Sequence, residues 1–194
     1  METVKIDKRG RPDQREVHYL GRIRQHSERY AEFHRPSVEL LFNLIYTGDI
    51  IQTQLARKIE THKLSLGAFN ALLILSRYET TGCPMHELGE LLLVSRANIT
   101  GLVDCLERRG LVERTSAPAD RRVRLVRLTK AGRKLLETIL PDHYRRVRAL
   151  LRGISNKDKE ALSALLTKLR HNVLQSLERQ AKPQRIERGE ANRG

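Results

Sequence analysis

The residues best equipped for chemistry in this chain are cations and hydrogen-bond donors. The run SRANITG places Ser95, Arg96, Asn98, Thr100 and Gly101 close together, and the run DRRVR places Asp120, Arg121, Arg122 and Arg124 in a second group. An arginine can fork onto guanine O6/N7 and an asparagine onto adenine N6/N7, whereas serine and threonine hydroxyls suit phosphate oxygens. On that chemistry Arg96 and Asn98 are expected to address bases, and Ser95 and Thr100 to hold phosphates. Ser95 can equally act as a helix cap alone. Gly101 lets a backbone approach a duplex closely. Asp120 and Arg122, two apart, can pair and stiffen a tight turn, leaving Arg121 to enter a narrow minor groove where the negative potential is enhanced. Spacing does not decide which arginine pairs and which penetrates. Arg124 and Lys130 are expected to add phosphate contacts.

Charge supports this reading. The chain has 194 residues with 37 Lys+Arg against 23 Asp+Glu, a net charge of +14. From Arg96 to Lys134 there are eleven Lys+Arg (96, 108, 109, 114, 121, 122, 124, 127, 130, 133 and 134) against Asp104, Glu107, Glu113 and Asp120, so 11 − 4 = +7, half of the total. A field of that kind draws a polyanion. At 39% hydrophobic residues the chain is no disordered basic tail, while the absence of Trp and only 4% aromatics argue against a single-strand or RNA reader built on stacking. Duplex DNA is the expected partner.

Other chemistries find little support. There is no HExxH, GxGxxG, GxxxxGK[ST] or GxSxG, and the seven histidines are scattered. No catalytic residue, metal ligand or cofactor is assigned. Cys83 and Cys105, 22 positions apart without a CxxC or a Cys/His cluster, disfavour zinc fingers and disulfide scaffolds and suggest a reduced, cytoplasmic setting. Cys105 is expected to pack between helices as a small apolar group, and Cys83, in an apparent loop, to be exposed. The start METVKIDKRGRPDQ lacks an apolar core, and no run approaches the roughly 18 apolar residues of a membrane span, so no membrane partner is expected.

The elements that must position these residues are mainly helical. A weak apolar rhythm suggests a short helix over 15–33. Pro36 should stop it, with Ser37 capping a long helix to about Thr61 on the stripe Val38, Leu41, Leu44/Ile45, Leu55 and Ile59. Ser65 caps the next helix, to about Tyr78, and Gly82 and Pro84 break the chain. A short helix with Leu88, Leu91 and Leu92 inward ends at Leu93-Val94 before a new cap at Ser95. From there Ile99, Leu102, Val103 and Leu106, spaced at i, i+3, i+4 and i+7, predict an amphipathic helix closed by Gly110. Two helices joined by about four residues form a helix-turn-helix candidate. LVERTS and VRLVRLT, separated by APADRR, predict a hairpin behind it, which is a wing. Thr129 caps a further helix with a kink expected near Leu140, because Pro141 falls inside it. Ser155 opens the last helix, striped by Leu162, Leu165, Leu169, Val173 and Leu177 to about Arg179.

The run LGELLLVSRANITGLVDCLERRGLVER followed by PADRRVRLVRLTKAG resembles the MarR family of winged-helix bacterial regulators. Its wing pattern DRRxxxVxLTxxG is matched by Asp120, Arg121, Arg122, Val126, Leu128, Thr129 and Gly132, and the likeness covers roughly residues 37–180. The resemblance implies a mainly α fold with a small β-wing: a winged helix-turn-helix head carrying long dimerisation helices from both ends of the chain. The organisation expected is a basic N-terminal extension at 1–36, a dimerisation helix at 37–62, the DNA-binding head at 63–135, C-terminal dimerisation helices at 136–180 and a disordered tail at 181–194. It further implies a small aromatic or phenolic effector in a cleft lined by Phe42, Asn43, Tyr46, Phe69 and Arg77, although core packing is the plainer role for the aromatics. Gly101 stands where the resemblance leads one to expect a longer polar residue.

The long helices carry more apolar surface than a head of this size can hide, so a twofold homodimer is expected, its seam drawn from Leu41, Leu44, Leu150, Leu162, Leu165, Leu169 and Val173. Such a pair reads a pseudo-palindromic operator, and the function expected is that of a ligand-responsive repressor. The alternatives are a non-specific architectural DNA binder and a winged module that binds protein.

Overall fold

The structure, a computed structural model, describes residues 29–78, 80–117, 120 and 122–181, the last two by backbone alone. Most of the N-terminal extension, Arg121 and the tail beyond residue 181 lie outside the described residues. The chain divides into two compact units, 1–147 and 148–194.

In the first unit, residues 29–33 form a turn where the end of a helix was expected. Helix α1 (Arg35–Ile59) starts ahead of Pro36, so Ser37 is not its cap. The fixed φ of proline suits a first helical turn, and its missing N–H is not needed there. The Ser37 hydroxyl instead meets His34 Nδ1 at 2.7 Å. A 3₁₀ turn (Glu60–His62) and Lys63, at φ 57°, redirect the chain. Helix α2 (Leu66–Leu75) opens on Ser65, whose hydroxyl accepts the Ala68 N–H at 3.1 Å. Ala68, Phe69, Ala71, Leu72 and Leu75 are buried on it, so α2 is the central helix, enclosed on several sides. It ends short of Tyr78, whose hydroxyl donates to Glu87 Oε1 at 2.6 Å. That bond, aided by burial, pushes the Tyr78 pKa up to about 12.

Strand β1 (Cys83–Pro84) pairs Cys83 with Val126 and Pro84 with Leu125, so the sheet has the order β1-β3-β2. Proline is tolerated because β1 is an edge. Helix α3 (Met85–Leu92) buries Leu88 and Gly89. Leu91, expected inward, is 51% exposed. The contact instead runs through Gly89, where an added Cβ would stand 3.4 Å from Ile99 Cγ2. Helix α4 (Arg96–Arg108) faces the core with Ile99, Val103 and Leu106, and Gly110 turns the chain at φ 67°.

Between α3 and α4, Leu93 N–H donates to Glu90 O and Val94 N–H to Gly89 O, both at 3.0 Å. This is the Schellman pattern, whose left-handed residue is usually glycine. Here it is Leu93, at φ 55°. A side chain in that conformation costs about 1–2 kcal/mol.

Strands β2 (Val112–Ser116) and β3 (Arg124–Leu128) form the expected wing, in register from Val112↔Leu128 to Ser116↔Arg124. Thr129 joins wing to helix: its hydroxyl donates to Gly110 O at 2.6 Å and accepts the Gly132 N–H at 3.0 Å. Helix α5 (Lys130–Leu150) continues through Pro141, burying Leu136 and Ile139.

The second unit is the end of α5, a turn and helix α6 (Asn156–Ala181). Ser155 caps α6, accepting the Asp158 N–H at 3.1 Å and donating to Asp158 Oδ2 at 2.6 Å. None of its described side chains is buried, and Leu165 is 65% exposed.

Candidate nucleic-acid interface

The buried face of α4 dictates what its first turn presents. With Ile99 in the core, Ser95, Arg96, Asn98, Thr100 and Gly101 all lie exposed on the opposite side. An added Cβ on Gly101 would meet nothing within 4 Å, so the helix is bare there. Ser95 caps α4 by accepting the Asn98 N–H at 3.3 Å. The Thr100 hydroxyl donates to Arg96 O at 2.9 Å, so in this rotamer it meets a ligand as an acceptor. Arg96 and Asn98 extend from the same turn.

In the wing, Asp120 Oδ1 accepts the backbone N–H of Arg122 at 2.9 Å, and Val123 N–H donates to Asp120 O at 3.0 Å. Asp120 therefore stiffens the turn through the main chain of Arg122, a contact that spacing had left open. Arg122 and Arg124 are exposed, and Arg124 Nη1 donates to Ser116 Oγ at 3.3 Å across the hairpin. A hollow of about 840 Å3 separates wing from helices, with Arg96 and Thr100 on one wall and Arg122 and Arg124 on the other.

Several cations counted with this surface have other work. Arg114, on β2, forks onto α4: Nη2 stands 2.5 Å from Asp104 Oδ1, and Nη1 pairs with Glu107 Oε2. Its backbone N–H donates to Glu107 Oε1 at 3.0 Å. Arg109 donates from Nη1 to Lys63 O and from Nη2 to His62 O, 3.2 Å away, tying the end of α4 to the turn after α1. Arg127 Nη2 donates to Thr81 O at 3.1 Å. These three hold the head together, and residue type alone did not separate them from the outward arginines.

The residues expected around an effector are dispersed in character. Phe42 and Tyr46 are half-buried on α1, Asn43 is exposed with Nδ2 donating to Glu39 O at 2.9 Å, and Arg77 is exposed beyond α2. Phe69 is fully buried, its ring 4.8 Å from that of His143. As a nearly all-apolar helix, α2 turns Phe69 into the core.

Both cysteine expectations are reversed. Cys83 is fully buried, because β1 carries it under the sheet, and burial first of all pushes its thiol up to about 11. Cys105 is exposed on α4, one position from the buried Leu106. Iodoacetamide on the native protein should therefore add one group, at Cys105, and none to a Cys105→Ser variant by mass spectrometry. Two adducts on the native protein contradict the placement of Cys83.

A capped helix with an exposed first turn, preceded by a short helix and flanked by a two-stranded ribbon, defines a winged helix-turn-helix protein. Residues 62–123 match the MarR family profile. The HTH-type transcriptional repressor YetL of Bacillus subtilis is 30% identical over 144 residues, 74% of this chain and 86% of YetL. The crystal structure of a probable transcriptional regulator from Pseudomonas aeruginosa is 32% identical with a TM-score of 0.58, covering 65% of this chain and 93% of that one. The fold is also that of S. aureus MepR in its DNA complex, at 24% identity and TM-score 0.60 over 69% of this chain and 96% of that chain. This chain belongs to the MarR family and is a transcriptional regulator. The resemblance carried by the wing motif is thereby borne out.

Proposed function

We propose that the protein binds duplex DNA as a homodimer at a pseudo-palindromic operator, acting in the cytoplasm as a repressor that a small aromatic or phenolic effector releases. The observation that carries this reading is the exposure of Ser95, Arg96, Asn98 and Thr100 on the first turn of α4, with the arginines of the wing beside it. Arg96 and Asn98 address bases in the major groove, Ser95 and Thr100 approach phosphates, and Arg121, Arg122 and Arg124 engage the flanking groove and backbone. The fold likeness to a regulator solved on DNA supports the partner, and the repressor YetL supports the direction of control.

The dimer rests on unburied apolar surface. Leu41, Leu44, Leu150, Leu162, Leu165, Leu169 and Val173 are all exposed or half-buried in the single chain. Residues 37–62 and 136–180 then serve as dimerisation arms around a head at 63–135. In the effector reading, Phe42, Asn43, Tyr46 and Arg77 contribute to a cleft beside those arms.

Titration of operator and random duplexes at several salt concentrations tests the reading. Affinity should fall with a logarithmic slope of about −0.9 per phosphate neutralised, and the operator should exceed random duplex by about 10³ or more at physiological salt. A smaller ratio favours an architectural binder, and no duplex affinity favours a protein-binding module.

A further inference from the structure

We infer that Leu93, in the turn between α3 and α4, is a specificity-determining residue that reads the 5-methyl group of a thymine next to the bases addressed by Arg96. This rests on the duplex-binding reading above. Leu93 is 91% exposed, the most exposed of the large hydrophobic residues among those described. It also occupies a left-handed position, at φ 55°, that glycine would fill without strain. Folding gains nothing from a leucine there: the side chain contributes no burial and the backbone is disfavoured. Solubility gains nothing either. Residues kept at a cost to the fold are expected where they meet a ligand.

The surroundings identify that ligand. Leu93 lines the same hollow as Arg96, Thr100, Arg122 and Arg124, in which three arginines face the single carboxylate of Glu90. A concavity of that charge suits a polyanion and disfavours an apolar protein partner. Leu93 lies two residues before the Ser95 cap, so a duplex seated on the first turn of α4 comes close to it. In the major groove the feature suited to an aliphatic side chain is the thymine methyl.

The test uses the full-length protein, the operator duplex obtained by selection, and a set of operators in which each thymine is replaced in turn by deoxyuridine, which lacks only that methyl. Wild-type protein should bind about fourfold more weakly when one particular thymine of each half-site is replaced, the effect of one buried methyl group. Leu93→Gly should melt no lower than wild type, bind the operator about tenfold more weakly, and no longer distinguish thymine from deoxyuridine at that position. Leu93→Met, which keeps apolar reach, should restore most of the discrimination. A Leu93→Gly protein that retains wild-type affinity and deoxyuridine sensitivity overturns the inference, as does a wild-type protein indifferent to every replacement. Failure of the wild type to prefer any duplex over random DNA is a separate result, and it removes the duplex-binding reading instead.

Discussion

Gly132→Ala should destabilise the head by about 3 kcal/mol or more, near the upper end for overpacking, and lower the melting temperature by about 6–12 °C. A Cβ at this position stands 2.0 Å from the carbonyl oxygen of Leu111 and 3.0 Å from its carbon. The obstacle is main chain and has little freedom to withdraw. Leu111 O accepts the Thr129 N–H at 3.1 Å, Leu111 N–H donates to Leu106 O at 3.0 Å, and the Leu111 side chain is buried. Nor can α5 retreat without loss, since the Gly132 N–H is held by Thr129 Oγ1 and Leu136 below it is in the core. Thermal unfolding followed by circular dichroism measures the effect. A variant melting within a degree or two of wild type means that α5 and the Leu111 backbone are not in this contact.

Arg114→Ala should weaken operator binding by about tenfold while leaving the salt slope unchanged. Its side chain is 21% exposed and reaches from β2 to Asp104 and Glu107 on α4, which are 51% and 39% exposed. Burial by itself works to lower the Arg114 pKa, but the hydrogen bonds it donates to Asp104 and then Glu107 outweigh it and leave the pKa raised, so the guanidinium stays charged. With carboxylates this exposed, solvent screening limits the pairs to about 1 kcal/mol of fold stability. The larger consequence is geometric. A wing no longer fixed to the reading helix must be ordered on the DNA, at about 1–2 kcal/mol for each newly mobile residue, and one such residue is roughly tenfold in affinity. Fluorescence titration at several salt concentrations checks both parts. A slope shallower by about one unit shows instead that Arg114 meets a phosphate.

What could be read from the sequence was local. The Ser65, Ser95, Thr129 and Ser155 caps, the turn at Gly110 and the pair of short strands either side of APADRR each depend on a few neighbouring residues, and the structure has them as expected. Strand β1 escaped notice because two residues, one a proline, carry no periodicity and acquire a strand's identity only from a partner more than forty positions away. The burial of Cys83 and the inward use of Arg127 follow from that same pairing. Arg109 likewise finds its acceptor 46 residues distant, at Lys63. At the α1 start, Pro36 reads as a stop and Ser37 as the cap, whereas the helix takes the proline into its own first turn. On the candidate site, the exposed first turn of α4 was legible because burying Ile99, Val103 and Leu106 leaves only one side for Arg96 and Asn98. Leu93 was read only as a helix end, since its conformation is set by hydrogen bonds that sequence does not display.

The central claim, that the turn beginning at Ser95 reads bases, is tested most directly by selecting random duplexes with the wild-type protein and with Arg96→Ala. Wild type should recover a sequence with two inverted half-sites centred about 34 Å apart, one helical turn. The variant should recover the same sequence with guanine preference relaxed at one position in each half, at a cost of about 1–3 kcal/mol per site. Identical selected sequences from both proteins, or a wild-type sequence without inverted symmetry, contradict the account.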